Sequence, residues 1–475
     1  MKRTAIIGGG IAGLSAAYFL EKARQGGAEI EWTLFEKSDR LGGVIKTEHR
    51  DGFVLEAGPD SFLTIKPDGA QLCRDLGIGD QLISSNDAER KTYILVKGRL
   101  VPIPDGLQFM VPTRLWPMVA TPLFSWGTKL RMAAEFLSRS RAQGLEDESV
   151  SSFVQRHFGQ QMVERVAEPL LAGVYGGNAD HLSVRAVLPR FIEMERDHGS
   201  LVRASLHALR QAQVKSAKDN NAGKGKSPQS LFTSLRTGVQ QLVDALVVQL
   251  PAGSVRLQQE RTSLQRAGTR WQINGTAGGS FDSIVLAVPA PASAGLLEPI
   301  QPKLAGLLRR IAYTSSAAVT LAYERAELPA GHGFLVPASE GRTMLACTFV
   351  HKKFPHRAPE GSALLRCFIS SARVPKLFDY SDEDLQVILQ KELKEILGLA
   401  AAPRLVRVFR WPCALPQYEI GHLEHVAEME KLLHELPGVH IAGNSLYGIG
   451  IPDCIRSARQ AVESITSSVL QPASV

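Results

Sequence analysis

Cysteine is scarce and scattered: five in 475 residues, at positions 73, 347, 367, 413 and 454, with no CxxC pair. That excludes a zinc ladder and a disulfide framework, and favours a reducing compartment. Long apolar runs are lacking too. The nearest candidate, Phe109 to Gly127, is broken by Pro112, Arg114, Pro117 and Pro122, so no stretch reaches the ~20 apolar residues of a membrane span. The apolar start after Lys2-Arg3 contains Gly8, Gly9, Gly10 and Gly13, which the helical core of a secretory signal avoids. Charge of one sign is not in excess, since 54 Lys+Arg against 47 Asp+Glu leaves +7. Such mild basicity permits an acidic substrate or an anionic surface, and nothing points to nucleic acid. No repeat period is present, and 44% apolar residues exclude global disorder.

What is present is an interleaved pattern. Strands at Thr4–Ile7 and Ile30–Phe35 flank a helix ending near Lys22. Strands around Val255, Trp271–Ile273 and Ile284–Val288 follow a helical stretch at Leu242–Leu250. A last strand at His440–Ala442 precedes a closing helix after Pro452. Strands alternating with helices predict a parallel sheet assembled from three separated segments. Between them, residues 109–214 read as helical, with amphipathic patterns at Lys129–Leu137 and Phe153–Leu171. Residues 303–404 alternate as a mixed sheet, with strands at Ala317–Tyr323 and Leu364–Ile369. Residues 215–230 are a polar, Gly/Lys/Ser-rich linker.

The chemistry is written first at Gly8-Gly9-Gly10-Ile11-Ala12-Gly13, which follows a strand and opens a helix. In GxGxxG the first glycine makes the turn and the second lets backbone approach a pyrophosphate. The third lets helix and strand pack closely. Glu36, ending the second strand, is placed to accept a ribose diol, and its charge argues against a 2′-phosphate and hence NADP. Spacing alone leaves NAD and FAD open. Arg40-Leu41-Gly42-Gly43 and Glu56-Ala-Gly58-Pro59-Asp60-Ser61 add close backbone approaches, as a ligand reaching further along the sheet edge needs.

GxGxxG, the acid and RLGG together resemble the FAD-binding start of the amine-oxidase-like flavoproteins. Asp282–Pro289 and Ala442–Arg456 resemble that superfamily's later flavin segments. Within it, four stretches resemble the porphyrinogen oxidases of haem biosynthesis: Glu56–Phe62, Glu168–Gly177, Arg410–Tyr418 with Gly421-His422, and Gly450–Ile455. His351–Gly361 is similar to the soluble bacterial branch. The resemblance implies an α/β plus α+β architecture. Its Rossmann-like FAD-binding domain spans 1–84, 231–302 and 405–475. A substrate domain takes 85–108 and 303–404, and a helical domain 109–214.

The resemblance also implies a site and a reaction. FAD is held by Gly8 to Gly13, Glu36, Lys37, Arg40, Gly42, Gly43, Val44, Gly58 to Ser61, Arg261, Trp411, Ile449, Gly450 and Ile451. The porphyrinogen meets His332, Leu335 and Phe368, with Arg90 and Lys91 as cations for its propionates. Thr92 stands in the column of the family's propionate arginine. His332 read blandly is a loop histidine, Phe368 a core residue, and Arg90 and Lys91 solvated charges. The reaction removes six electrons through non-covalent FAD, with dioxygen as acceptor and hydrogen peroxide as by-product; it needs little acid–base machinery from the protein, and no protein base is assigned. The alternatives are an amine oxidase, a carotenoid desaturase or a non-catalytic flavoprotein. The expected location is cytoplasmic. Phe109 to Arg141 interleaves Phe109, Met110, Leu115, Trp116, Phe124 and Trp126 with basic residues. That mixture predicts contact with a membrane surface or a partner, such as a neighbouring haem-pathway enzyme, and read blandly it is an ordinary buried insertion helix.

Overall fold

The structure is a computed structural model that describes residues 1–108, 110–139, 146–218, 230–259, 263–274 and 279–470. The chain forms two compact units. Met1–Ser85, Ser230–Ala312 and Leu423–Val475 make the first, and Asn86–Gln229 with Tyr313–His422 make the second.

In the first unit, β1 (Lys2–Ile7) leads into α1 (Ile11–Gln25) and then β2 (Ile30–Phe35). These strands join Val255–Arg256, Ser283–Leu286 and Val439–Ile441 in a five-stranded sheet with β1 at its centre. Every neighbouring pair is parallel. Both faces of such a sheet are covered, so its strands read as continuous apolar runs; Ala5, Ile6, Ile284, Val285 and Leu286 are fully buried. Alanines on α1 and on the closing helix Ile451–Leu470 share one core with Val285. Their small side chains let the two helices lie close over the sheet.

In the second unit, seven strands run in the spatial order Leu405–Pro416, Tyr313–Tyr323, Ala363–Ser370, Ala346–Phe349, Gly333–Leu335, Thr92–Val96 and Arg99–Pro102. All pairs are antiparallel except Gly333–Leu335 against Thr92–Val96. Alternate residues Val319, Leu321, Cys347, Leu365, Cys367 and Ile369 face Leu385, Leu389 and Leu393 of the helix Asp382–Leu397. The opposite face of the same strands carries the candidate substrate residues.

Three expectations change. Leu405–Pro416 pairs with Tyr313–Tyr323 along its length, so the last segment of the first unit begins at Leu423 rather than 405. The helix expected over Phe153–Leu171 is broken. Val150–Phe158 ends at Gly159 (φ 90°), and a π-turn at Val163–Ala167 precedes Glu168–Tyr175, whose Pro169 has no N–H to donate. The helix Leu201–Lys218 takes in the first residues of the expected linker, and 219–229 lie outside the described residues.

Buried charges tie this helical part together. Glu135, ending the helix Trp126–Glu135, accepts from Ser200 Oγ (2.7 Å) and from the N–H groups of Leu201 (2.7 Å) and Val202 (3.2 Å) at the start of the helix Leu201–Lys218. It also meets His157 Nδ1 at 2.9 Å. His157 Nε2 lies 3.5 Å from Glu195, which Arg156 grips with both terminal nitrogens. Burial would depress His157, but the hydrogen bonds it donates to Glu135 and Glu195 outweigh it and raise its pKa above the usual 6.5. Burial likewise opposes ionisation of Glu195, yet its bonds from His157 and Arg156 pull it down to about 2.

The sign for His157 follows from a folded pKa above the unfolded one. Its stabilisation is complete below the unfolded value and is lost as pH rises through the folded value. Melting temperature is therefore expected to fall as pH rises above 6.5, and His157→Gln should lower it overall while flattening that fall. Calorimetry across this range checks it; an unchanged slope in the variant counts against the assignment.

Candidate functional site

The turn between β1 and α1 uses each glycine differently. Gly8 has φ +107°, and a Cβ there would stand 2.5 Å from the Ala287 carbonyl oxygen. At Gly13 a Cβ would stand 1.8 Å from the Gly8 carbonyl, so only glycine lets α1 approach the turn. At Gly10 a Cβ would meet nothing within 4 Å. That open space lies at the N-terminus of α1, where the N–H groups of Ile11, Ala12 and Gly13 precede the first intrahelical bond, from Leu14 to Gly10 (2.9 Å). Such a cradle suits a pyrophosphate.

A second glycine pair closes on the first. Gly42 N–H donates to the Gly9 carbonyl (2.8 Å), and a Cβ at Gly43 would lie 3.2 Å from Gly10 Cα. Arg40 donates to the carbonyls of Leu41 (2.9 Å), Ile45 (3.1 Å) and Gly43. It therefore shapes the loop that frames the cradle. Glu36 accepts from Gly9 N–H (2.6 Å) and from Ser38 N–H and Oγ (2.8 and 2.7 Å). Each carboxylate oxygen has two lone pairs, and the two Ser38 bonds fall on one oxygen; the other keeps capacity for a ribose hydroxyl. Lys37 is exposed beside it.

Gly58 packs so tightly that a Cβ would lie 1.9 Å from the Val44 carbonyl, while the Val44 side chain is 42% exposed. Pro59, Asp60 and Ser61 are half-buried. Ser61 Oγ donates to Asp60, whose own carbonyl receives Ser234 Oγ (both 2.6 Å). Ile449, Gly450 and Ile451 form the entry to the closing helix. Arg261 lies outside the described residues. Sequence reading missed the role of buried Glu56, which accepts from Val239 N–H (2.9 Å) and Thr47 Oγ1 (2.7 Å) and so caps the helix Gln240–Val248. Its spacing from that helix, far along the chain, gave no signal.

In the second unit, Leu335 and Phe368 share one register row on the face away from the helix Asp382–Leu397. The row runs Ile94, Leu335, Ala346, Phe368, Ala318, Phe409. Trp411 is in an adjacent row, opposite Ser316. Leu335, Phe368 and Trp411 are half-buried, giving an apolar platform of aromatic, aliphatic and small residues. Thr92 pairs with Gly333 at the other flank. Arg366, two residues before Phe368, holds its guanidinium 4.8 Å over that ring and is buried. The two-residue strand period placed it on this face, but an arginine inside an apolar strand carried no mark of a role.

His332 is less available than expected. Its Nε2–H donates to the Asn86 carbonyl at 2.9 Å, and its backbone N–H donates to Lys91. Burial lowers its pKa, so the ring is neutral near pH 7. Arg90 and Lys91 are exposed. Nearby cations point elsewhere: Lys352 Nζ donates to the carbonyls of Leu328 and Pro329, while Lys353 and Arg357 are buried against Phe354. Cys413 is exposed with φ +46° at a β-bulge, its N–H donating to Ser315 Oγ (2.9 Å). Among the described residues no cluster of three or more metal-binding side chains occurs.

Comparison with known proteins places these features. The family model described as flavin containing amine oxidoreductase matches residues 11–466. The chain is 35% identical over 470 residues to the coproporphyrinogen III oxidase of Bacillus subtilis (strain 168), covering 97% of both chains. It is 28% identical to the chloroplastic protoporphyrinogen oxidase of Nicotiana tabacum, covering 97% of this chain and 85% of that one. A crystal structure from Exiguobacterium sp. 255-15, provisionally named protoporphyrinogen oxidase, superposes with a TM-score of 0.84 at 32% identity. It covers 98% of this chain and 99% of the other.

Gly10→Val is expected to leave the fold and melting temperature of the bare protein intact while abolishing retention of a dinucleotide, because its side chain fills only the cradle. Gly13→Ala should instead lower the melting temperature of the bare protein. Absorbance after gel filtration and thermal scans check the pair; equal destabilisation by both would contradict the geometry.

Proposed function

Because the chain belongs to the flavin containing amine oxidoreductase family, we propose that it is a porphyrinogen oxidase of haem synthesis, using non-covalent FAD and preferring coproporphyrinogen III. The observation that carries the substrate class is the 35% identity, over 97% of both chains, with a coproporphyrinogen III oxidase. The glycine cradle, Glu36 and the Gly58–Ser61 turn fit the diphosphate, ribose and further reach of FAD. Exposed Cys413 belongs to a strained bulge, and the reading gives it no tether to the cofactor. Bound FAD supplies two-electron oxidation, and three rounds with dioxygen convert a porphyrinogen to the porphyrin with three hydrogen peroxide.

The chain's own residues bind and orient. Leu335 and Phe368 offer a flat apolar row to the macrocycle, and Trp411 extends it. Exposed Arg90 and Lys91 serve the propionates, and His332 fixes Lys91 by holding its backbone. The apolar character of this face suits a reaction in which binding and orientation are the protein's task. An amine oxidase shares the fold; the full-length relatives named for porphyrinogens favour the present reading.

Four propionates on coproporphyrinogen against two on protoporphyrinogen decide the preference. Each additional carboxylate met by an exposed cation is worth at most about 1 kcal/mol, or several-fold in affinity. Steady-state kinetics should give the higher kcat/KM for the tetracarboxylate, with the gap narrowing as salt is raised and in Arg90→Ala/Lys91→Ala. Equal use of both substrates at all salt concentrations would overturn the preference and leave the flavin reaction standing. Acid precipitation should release yellow FAD into the supernatant; colour held in the pellet would refute the non-covalent attachment.

A peripheral membrane contact forms part of the reading. Leu115, Trp116, Trp126, Leu130 and Leu137 are each at least 66% exposed, and Lys129 Nζ lies 4.7 Å over the Trp126 ring. Met110 and Phe124, counted with them from sequence, are buried instead; Phe109 and Arg141 lie outside the described residues. Among the described residues no helix is long and apolar enough to cross a membrane. At low salt the protein should sediment with anionic vesicles, and Trp116→Ser/Trp126→Ser should stay in the supernatant. Wild type remaining wholly in the supernatant would remove the membrane from this reading.

A further inference from the structure

The turn Gly448–Ile451 is built on an ion pair with a buried carboxylate that the proposed reaction does not use. Asp453, in the first turn of the closing helix, has a side chain only 1% exposed. Its Oδ2 accepts from Lys66 Nζ at 2.6 Å and from Gly450 N–H at 3.2 Å, and its Oδ1 accepts from Arg456 at 2.5 Å. The chain passes directly over this carboxylate. Gly448 has φ +74°, and a Cβ there would lie 2.4 Å from Asp453 Cγ. Lys66 comes from the far side of the sequence, at the residue before the helix Pro67–Asp75. Asp68, from that same helix, faces Arg456 at 3.7 Å and Arg459 at 3.6 Å. The cluster thus holds three cations and two carboxylates.

We propose that Asp453, paired with Lys66, is a positioning residue that shapes the Gly448–Ile451 turn and sets the local charge presented to the flavin; this rests on the flavin reading above. Two properties separate it from an ordinary helix cap. A cap needs only an acceptor for the first N–H groups, and an exposed aspartate supplies one. Here the acceptor is buried with counter-charge, Lys66 on Oδ2 and Arg456 on Oδ1, so losing either cation leaves the carboxylate only partly compensated. The charge consequence has opposite sign at the two ends. Without Lys66 the cluster loses a cation, and without the Asp453 carboxylate it loses an anion. Reduction of flavin adds negative charge, which nearby positive charge favours.

The test uses the full-length protein with its flavin. Midpoint potentials are measured by dye-coupled titration for wild type, Asp453→Asn, Lys66→Met and Lys66→Arg. Asparagine keeps an acceptor for Gly450 N–H while discarding the charge. Asp453→Asn is expected to raise the potential and Lys66→Met to lower it. Lys66→Arg should restore the wild-type value. Lys66 is 37% exposed, so its variants keep the experiment decisive if Asp453→Asn does not fold. Shifts of the same sign at both ends, or no shift with flavin bound, overturn the inference alone. A wild-type protein that binds no flavin overturns the flavin reading and the inference with it.

Discussion

The approach of Gly13 to the Gly8 carbonyl is the contact on which the first unit depends. With any Cβ at position 13, α1 would be pushed off the turn. Its N-terminus would then no longer point at the space left open beside Gly10. The same seating presents Gly9 N–H to Glu36 and the Gly9 carbonyl to Gly42, which ties β1, β2 and the following loop into one frame. Arg40 then holds that loop through three of its carbonyls. A single steric limit thereby fixes helix, acid and loop together, and the alanine-rich packing of α1 against the closing helix keeps them there.

The second unit solves a different problem with a different device. A broad macrocycle with an apolar body and a charged rim needs an extended surface, and an antiparallel sheet offers one because its two faces are independent. Here one face is spent on the helix Asp382–Leu397, and the other is free to carry Leu335, Phe368 and Trp411 in neighbouring rows. The buried cluster around His157 gives the helical part its own rigidity, without drawing on either sheet.

Much of the first unit was legible because glycine spacing and apolar runs are local signals. GxGxxG, Glu36 and the strand Ile30–Phe35 sit within one supersecondary unit, and periodicity suffices to place them. What escaped reading depends on contacts far apart in sequence. Leu405–Pro416 looked like part of the dinucleotide segment because nothing within it reveals Tyr313–Tyr323 as its partner. Arg357 and Lys353 are charged yet buried, which composition does not disclose. Met110 and Phe124 read as exposed for the same reason. Glu56 and Asp453 were quoted within motifs, yet their partners, Val239 and Lys66, lie far along the chain from them.

The arrangement of the first unit has a cost in time. Its central strand β1 finds β2 quickly, but its other neighbour is Ser283–Leu286, and Arg3 N–H reaches its Asp282 acceptor across 279 residues. At ribosomal speeds of about 5–20 residues per second, one edge of β1 waits on the order of 15–60 s for that partner. Val439–Ile441, beyond it, comes later still. Throughout that interval an emerging chain displays an unpaired apolar edge, the kind of template on which nascent proteins cross-associate. Slower synthesis would lengthen this exposure, so the yield of folded protein from a recombinant host is governed by how long that edge stays bare as well as by final stability.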